Sequence, residues 1–172
     1  MINYYPKKEQ ISTFKLNNNY NKIKINVKKT DTSSLFNLLG IYLGNEDFFS
    51  LTSNTGGGYT FYKDAKFRRL TRYRYNNVPV DDGGKYFYIK DADTIWSPGW
   101  KPMKTELDSY ECRHGMSYTK FKSAKNGVQA EILQFIPLSF WGEVQKVSLK
   151  NTSAKIKSLK LFSFQPIGGT TS

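Results

Sequence analysis

Cysteine and histidine are nearly missing from these 172 residues: the chain has one of each, Cys112 and His114. A disulfide framework needs paired cysteines, and a tetrahedral site of Cys and His needs further ligands of both kinds. Both are therefore excluded, and neither a metal nor a cofactor is expected. Cys112 reads as a buried or idle thiol in a reducing compartment. Long apolar runs are missing too. None approaches the roughly 20 residues that cross a bilayer as a helix. The opening Met1-Ile2-Asn3-Tyr4-Tyr5-Pro6-Lys7-Lys8 lacks the basic start and apolar stretch of a secretory leader. These absences predict a cytoplasmic protein with no membrane partner.

Acidic residues are scarce, 14 against 26 Lys and Arg, which leaves a formal net charge of +12. Such an excess favours anionic ligands and solubility but says little about fold. A nucleic-acid partner would need aromatic rings interleaved with the cations. Only the face around Arg68 to Arg74 offers both, so nucleic acid is the weaker reading.

What the chain does have is alternation. Ile23-Lys24-Ile25-Asn26-Val27 reads as one short strand within a loop-like, Lys- and Asn-rich opening. Ser34 to Leu43 is apolar and is compatible with a strand or a short helix. In Thr71-Arg72-Tyr73-Arg74-Tyr75 the aromatics take one face and the arginines the other. Lys85-Tyr86-Phe87-Tyr88-Ile89 is aromatic on both, which predicts a strand covered on two sides. Val128, Ala130 and Ile132 alternate with polar neighbours, Val147 and Leu149 share a face, and Leu159 to Phe164 forms a last strand. Asn126-Gly127 between alternating runs predicts a two-residue hairpin, because both central residues need positive φ. Strands at such spacing, with no amphipathic helix between them, predict an all-β fold, an antiparallel β-sandwich. One domain of this size buries roughly two-thirds of its unfolded surface.

The chemistry-bearing residues crowd between Gly44 and Gly115. Glu106, Asp108 and Glu111 could serve glycosidic cleavage, which uses paired carboxylates; neutralising nearby Lys and Arg is the simpler role. His114 has no positioned nucleophile beside it, so a hydrogen-bonded structural role is the plainer one. Gly56-Gly57-Gly58 lacks the helix N-terminus or Lys-Ser/Thr pair of a phosphate loop and reads as a tight hairpin or bulge. Trp96 and Trp100 flank the turn Ser97-Pro98-Gly99, and two large rings on one loop suit the apolar faces of pyranose rings. Equally, they suit the capping of a sandwich end. The sugar-facing set on the first reading is Trp96, Trp100, Tyr110, Arg113 and His114.

Several of these segments together resemble a known family. Leu43-Gly44-Asn45-Glu46-Asp47-Phe48-Phe49-Ser50, Gly57-Gly58-Tyr59-Thr60-Phe61-Tyr62-Lys63-Asp64-Ala65 and Arg68-Arg69 through Asn77 carry the likeness. It continues through Trp96-Ser97-Pro98-Gly99-Trp100 and Glu106-Leu107-Asp108-Ser109-Tyr110-Glu111-Cys112-Arg113-His114-Gly115. In collinear order they resemble the N-terminal β-sandwich region of cellobiose phosphorylases and related disaccharide phosphorylases, glycoside hydrolase family ninety-four.

The resemblance implies a galactose-mutarotase-like supersandwich, incomplete within these residues. It also implies a parent enzyme that splits β-linked glucosides with phosphate, with inversion, to α-glucose 1-phosphate and a free sugar. In that family the catalytic acid and phosphate pocket lie on a large helical barrel, and the sandwich packs on the barrel and supports a homodimer. No catalytic residue carries over to this sequence. The expected organisation is a divergent arm over residues 1–42, a partial sandwich over 43–164 and a loose tail over 165–172. The expected function is that of an enzyme's front piece, inactive alone. A stand-alone carbohydrate-binding module and a basic nucleic-acid-binding domain are the alternatives.

Overall fold

The structure is a computed structural model that describes residues 40–73 and 83–168, together with the backbone of residues 23–25. Every regular element among the described residues is a strand. In chain order they are β1 (Ile23–Ile25), β2 (Gly40–Gly44), β3 (Phe48–Ser53), β4 (Gly58–Tyr62), β5 (Tyr86–Asp91) and β6 (Thr94–Trp96). Then follow β7 (Ser109–His114), β8 (Tyr118–Lys125), β9 (Val128–Phe135), β10 (Val144–Asn151) and β11 (Leu159–Phe164). All pairings are antiparallel.

One sheet runs β1-β7-β8-β9-β10, and two three-stranded sheets run β11-β5-β6 and β2-β3-β4. Bridges between Gly57 and Gly84 and between Thr71 and Ile167 stitch the two smaller sheets together. The core forms where the large sheet meets β5 and β6: Ile89 and Trp96 pack with Val128, Ala130 and Leu107. A second cluster joins Cys112, Phe121 and Ile132 to Phe87. Each large apolar side chain buried here contributes about 1.5–3 kcal/mol. The antiparallel sandwich expected from alternation is the fold observed.

β9 shows the cleanest link from pattern to packing, with Val128, Ala130, Ile132 and Gln134 buried and their neighbours half-buried. The β8–β9 hairpin turns on Asn126 (φ 51°) and Gly127 (φ 74°), the two positive-φ residues its sequence predicts. β5 lies between β11 and β6 and buries Tyr86 and Ile89 while Phe87 and Tyr88 are half-covered.

One expected strand does not form as drawn. Thr71 makes only an isolated bridge, and Arg72 and Tyr73 follow in irregular backbone; Arg74 and Tyr75 lie outside the described residues. The reason is local: Thr71 Oγ1 accepts the backbone N–H of Thr60 at 2.8 Å, and the Tyr73 ring tilts onto Tyr59 at 4.5 Å. These contacts hold the chain against β4 without a ladder. Of the expected arm over residues 1–42, the structure describes Ile23–Ile25, paired with β7, and Gly40 to Tyr42, which begin β2; Asn26 and Val27 fall outside the described residues. At the other end Arg72 donates its N–H to the Pro166 carbonyl, so pairing reaches past residue 164.

Candidate functional site

The expected sugar-facing residues divide between core and surface. Trp96, at the end of β6, is wholly buried against Ile89, Val128 and Ala130. Trp100 is half-buried on the same cluster. Its backbone is left-handed at φ 74°, which costs a residue with a Cβ roughly 1–2 kcal/mol; the indole's packing against the core offsets it. Tyr110 points its hydroxyl inward to the Asn54 carbonyl, with the Gly99 carbonyl 3.3 Å away, and burial pushes its phenol well above the usual range. Of the two readings of the Trp96–Trp100 turn, the packing agrees with the capping one: Trp96 is enclosed and Trp100 and Tyr110 pack against the same cluster, because apolar area this large is best removed from water.

His114 is buried with Nδ1 3.0 Å from Thr119 Oγ1 and Nε2 3.6 Å from Cys112 Sγ. Burial lowers its pKa to about 4 and raises that of the Cys112 thiol far above its usual value, so both are neutral near pH 7. Arg113 is the one exposed member of the set and pairs with Glu111 at 2.7 Å. Two of the acidic trio have structural partners: besides Glu111, Asp108 Oδ2 accepts the Asn126 N–H at 2.7 Å and pins the β8–β9 turn. No group of three or more His, Cys, Asp or Glu suited to a metal occurs among the described residues.

The triple glycine is a hairpin corner, as its sequence suggests. Gly56 donates to the Ser53 carbonyl, Gly57 to Ser53 Oγ at 3.0 Å and Gly58 to the Gly83 carbonyl at 2.7 Å. All three amides are committed internally. At Gly58, φ is 138° and a Cβ would sit 1.9 Å from the Leu51 carbonyl oxygen, so only glycine fits.

Two features were not read from the sequence. The first is a buried ion pair: Lys85 Nζ meets Glu143 Oε2 and donates to Ser50 Oγ and Thr60 Oγ1, each at 2.8 Å. Burial pulls the Lys85 ammonium below its ordinary range, with Glu143 opposing. For Glu143, burial works to raise its pKa, but Lys85 and neighbouring donors outweigh it and keep the carboxylate ionised.

The second is the loop between β9 and β10. Asn45 Nδ2 donates to the carbonyls of Pro137 and Phe140, both at 3.0 Å, while its Oδ1 accepts the N–H groups of Asp47 and Phe48. The loop so held exposes Leu138, Phe140 and Trp141, and Trp141 meets Tyr62 with centroids 5.4 Å apart. The signal available in sequence was the run Leu138-Ser139-Phe140-Trp141-Gly142 directly after Pro137, apolar where a loop is normally polar.

The supersandwich domain of glycosyl hydrolase 94 matches residues 39–167, a span that covers β2 to β11 and the bridge at Ile167. The chain belongs to this family. Among the curated relatives, N,N'-diacetylchitobiose phosphorylase of Vibrio proteolyticus is 39% identical over 127 residues, 72% of this chain. The enzyme of the same name from Vibrio furnissii is 37% identical over 127 residues, again 72% of this chain. The 3-O-beta-D-glucopyranosyl-beta-D-glucuronide phosphorylase of Paenibacillus borealis is 36% identical over 123 residues, 70% of the chain. This supersandwich domain spans about 16% of the length of the two Vibrio proteins and 15% of the Paenibacillus one.

Proposed function

We propose that this supersandwich domain is the strand-built support of a disaccharide phosphorylase related to the cellobiose phosphorylases. The parent reaction is inverting phosphorolysis. Phosphate attacks the anomeric carbon of a β-linked glucoside, the glycosidic bond breaks, and a carboxylic acid protonates the departing oxygen. The products are α-glucose 1-phosphate and a free sugar. It follows the inverting glycosidase scheme with phosphate replacing activated water, so one acid suffices.

The commitment of Asp108, Glu111 and Glu143 to structural partners carries the reading. Asp108 pins a turn, Glu111 pairs with Arg113, and Glu143 is enclosed with Lys85. The catalytic acid and the phosphate pocket belong to a helical barrel outside these 172 residues. The relatives, each named as a phosphorylase and matched over only 15–16% of their length, support that division of labour. β10 and β11 are sheet edges among the described residues, and β11 exposes Leu161, Phe162 and Phe164. Such an apolar edge suits packing against the rest of the enzyme or a second copy. The compartment is the cytoplasm, where the lone Cys112 stays reduced.

The chain alone is catalytically silent on this reading. Purified protein, incubated with phosphate and either cellobiose or N,N'-diacetylchitobiose, should release no sugar 1-phosphate. Turnover by the isolated chain would refute the reading.

A further inference from the structure

We infer that Trp141 and Tyr62, with Lys63 reaching over the Tyr62 ring and Asp47 beside it, form a binding platform for the pyranose rings of a neutral β-linked oligosaccharide. The inference rests on the reading that the parent enzyme handles sugars, and it moves the sugar contact from the expected Trp96 loop to a different face.

Trp141 is 66% exposed, whereas Trp96 is fully enclosed and Trp100 half so. Its ring and that of Tyr62 are inclined at 54° with centroids 5.4 Å apart, so the two make an open wedge rather than a closed stack. A β-linked gluco-configured ring has apolar axial C–H faces and a rim of equatorial hydroxyls. An aromatic wedge accepts the face, and polar groups beside it accept the rim. Those groups are present: Lys63 Nζ lies 5.3 Å from the Tyr62 centroid and 3.6 Å from Asp47 Oδ2. One brings donors and the other acceptors, and their charges cancel. That balance favours a neutral sugar over a phosphorylated or uronate one, and disfavours a nucleic acid despite the net charge.

The wedge is also held in place before any ligand arrives. Asn45 fixes the loop through two carbonyls at 3.0 Å, and two residues beyond Trp141 the buried Glu143 anchors it to Lys85. Within the loop the Gly142 N–H donates to the Phe140 carbonyl at 3.0 Å. Binding to a surface ordered in advance costs less conformational entropy than binding to a free loop.

The test uses the full 172-residue chain, titrated separately with cellotetraose and N,N',N'',N'''-tetraacetylchitotetraose while the three indole N–H resonances are followed. The Trp141 resonance should move saturably, with a Kd on the order of 1 mM, or about −4 kcal/mol, while those of Trp96 and Trp100 stay. Trp141→Ala should weaken binding at least tenfold, Trp141→Phe and Lys63→Met less, with circular dichroism unchanged in each. No saturable shift with either sugar would overturn the inference, as would binding that survives Trp141→Ala. Self-association abolished by Trp141→Ala, without any response to sugar, would mark a protein-docking face and also overturn it. None of these failures bears on the scaffold reading, which the phosphorolysis assay decides separately.

Discussion

Lys85 and Glu143 meet inside the sandwich, 58 residues apart in sequence, with side chains only 5% and 7% exposed. Lys85 stands just before β5 and Glu143 just before β10, while Ser50 of β3 and Thr60 of β4 complete the ammonium's partners. The pair therefore ties all three sheets to one point.

Removing one partner should be far worse than removing both. Glu143→Leu leaves a buried ammonium without its counter-charge and should cost about 3–5 kcal/mol. The double variant Lys85→Met with Glu143→Leu should recover most of that, because an apolar pair needs no compensation. Urea midpoints of the single and double variants at one pH decide the matter; equal midpoints would show the pair is solvated.

Acid should weaken the fold through His114 before the carboxylates are protonated. Its folded pKa is about 4 against 6.5 unfolded, so between these values the unfolded chain holds more protons. Stability is full above about pH 6.5 and falls as pH drops towards 4, by up to about 3 kcal/mol. Replacing His114 by Gln should flatten that segment of the stability profile and leave the fall below pH 4 intact. A parallel profile in the variant would rule His114 out as the cause.

The β8–β9 turn offers a backbone test. Gly127→Ala places a Cβ in a left-handed position and 2.9 Å from the Ser153 Cβ, so a loss of roughly 1–2 kcal/mol is expected. Asn126→Gly should change stability by about 0.5 kcal/mol or less, since its φ of 51° suits either residue. Thermal unfolding of both variants separates backbone strain from lost side-chain contact.

The β11 edge should make the isolated chain self-associate. Phe162 and Phe164 share one face of that strand and are 54% and 50% exposed. Sedimentation at rising concentration should show association that the double Phe162→Lys, Phe164→Lys variant loses. A wild-type chain that stays monomeric throughout would remove this edge as a contact surface.

Local pattern carried much of the fold and little of the site. Period-two alternation placed β5, β9 and β10, and Asn126-Gly127 placed a hairpin, because strand faces and turn dihedrals depend on neighbours a few residues away. Thr71 to Tyr73, the described part of another expected strand, departed from it for the opposite reason: Thr60 and Tyr59, outside that segment, captured its hydroxyl and its ring. Trp96 and Trp141 make the same point within one residue type. Trp96 closes β6 and Trp141 stands in the loop after β9, yet one fills the core and the other faces water, and nothing in their flanking residues separates them.

By itself the sequence determined the strand class, the antiparallel connectivity of its hairpins, the impossibility of a Cys–His metal centre and the family likeness. Tertiary structure alone decided which aromatic rings are enclosed, that Lys85 finds Glu143, and that Asn45 holds the loop of Trp141. Those outcomes depend on which sheet faces which across tens of residues, and burial is a property of that packing rather than of any stretch of chain.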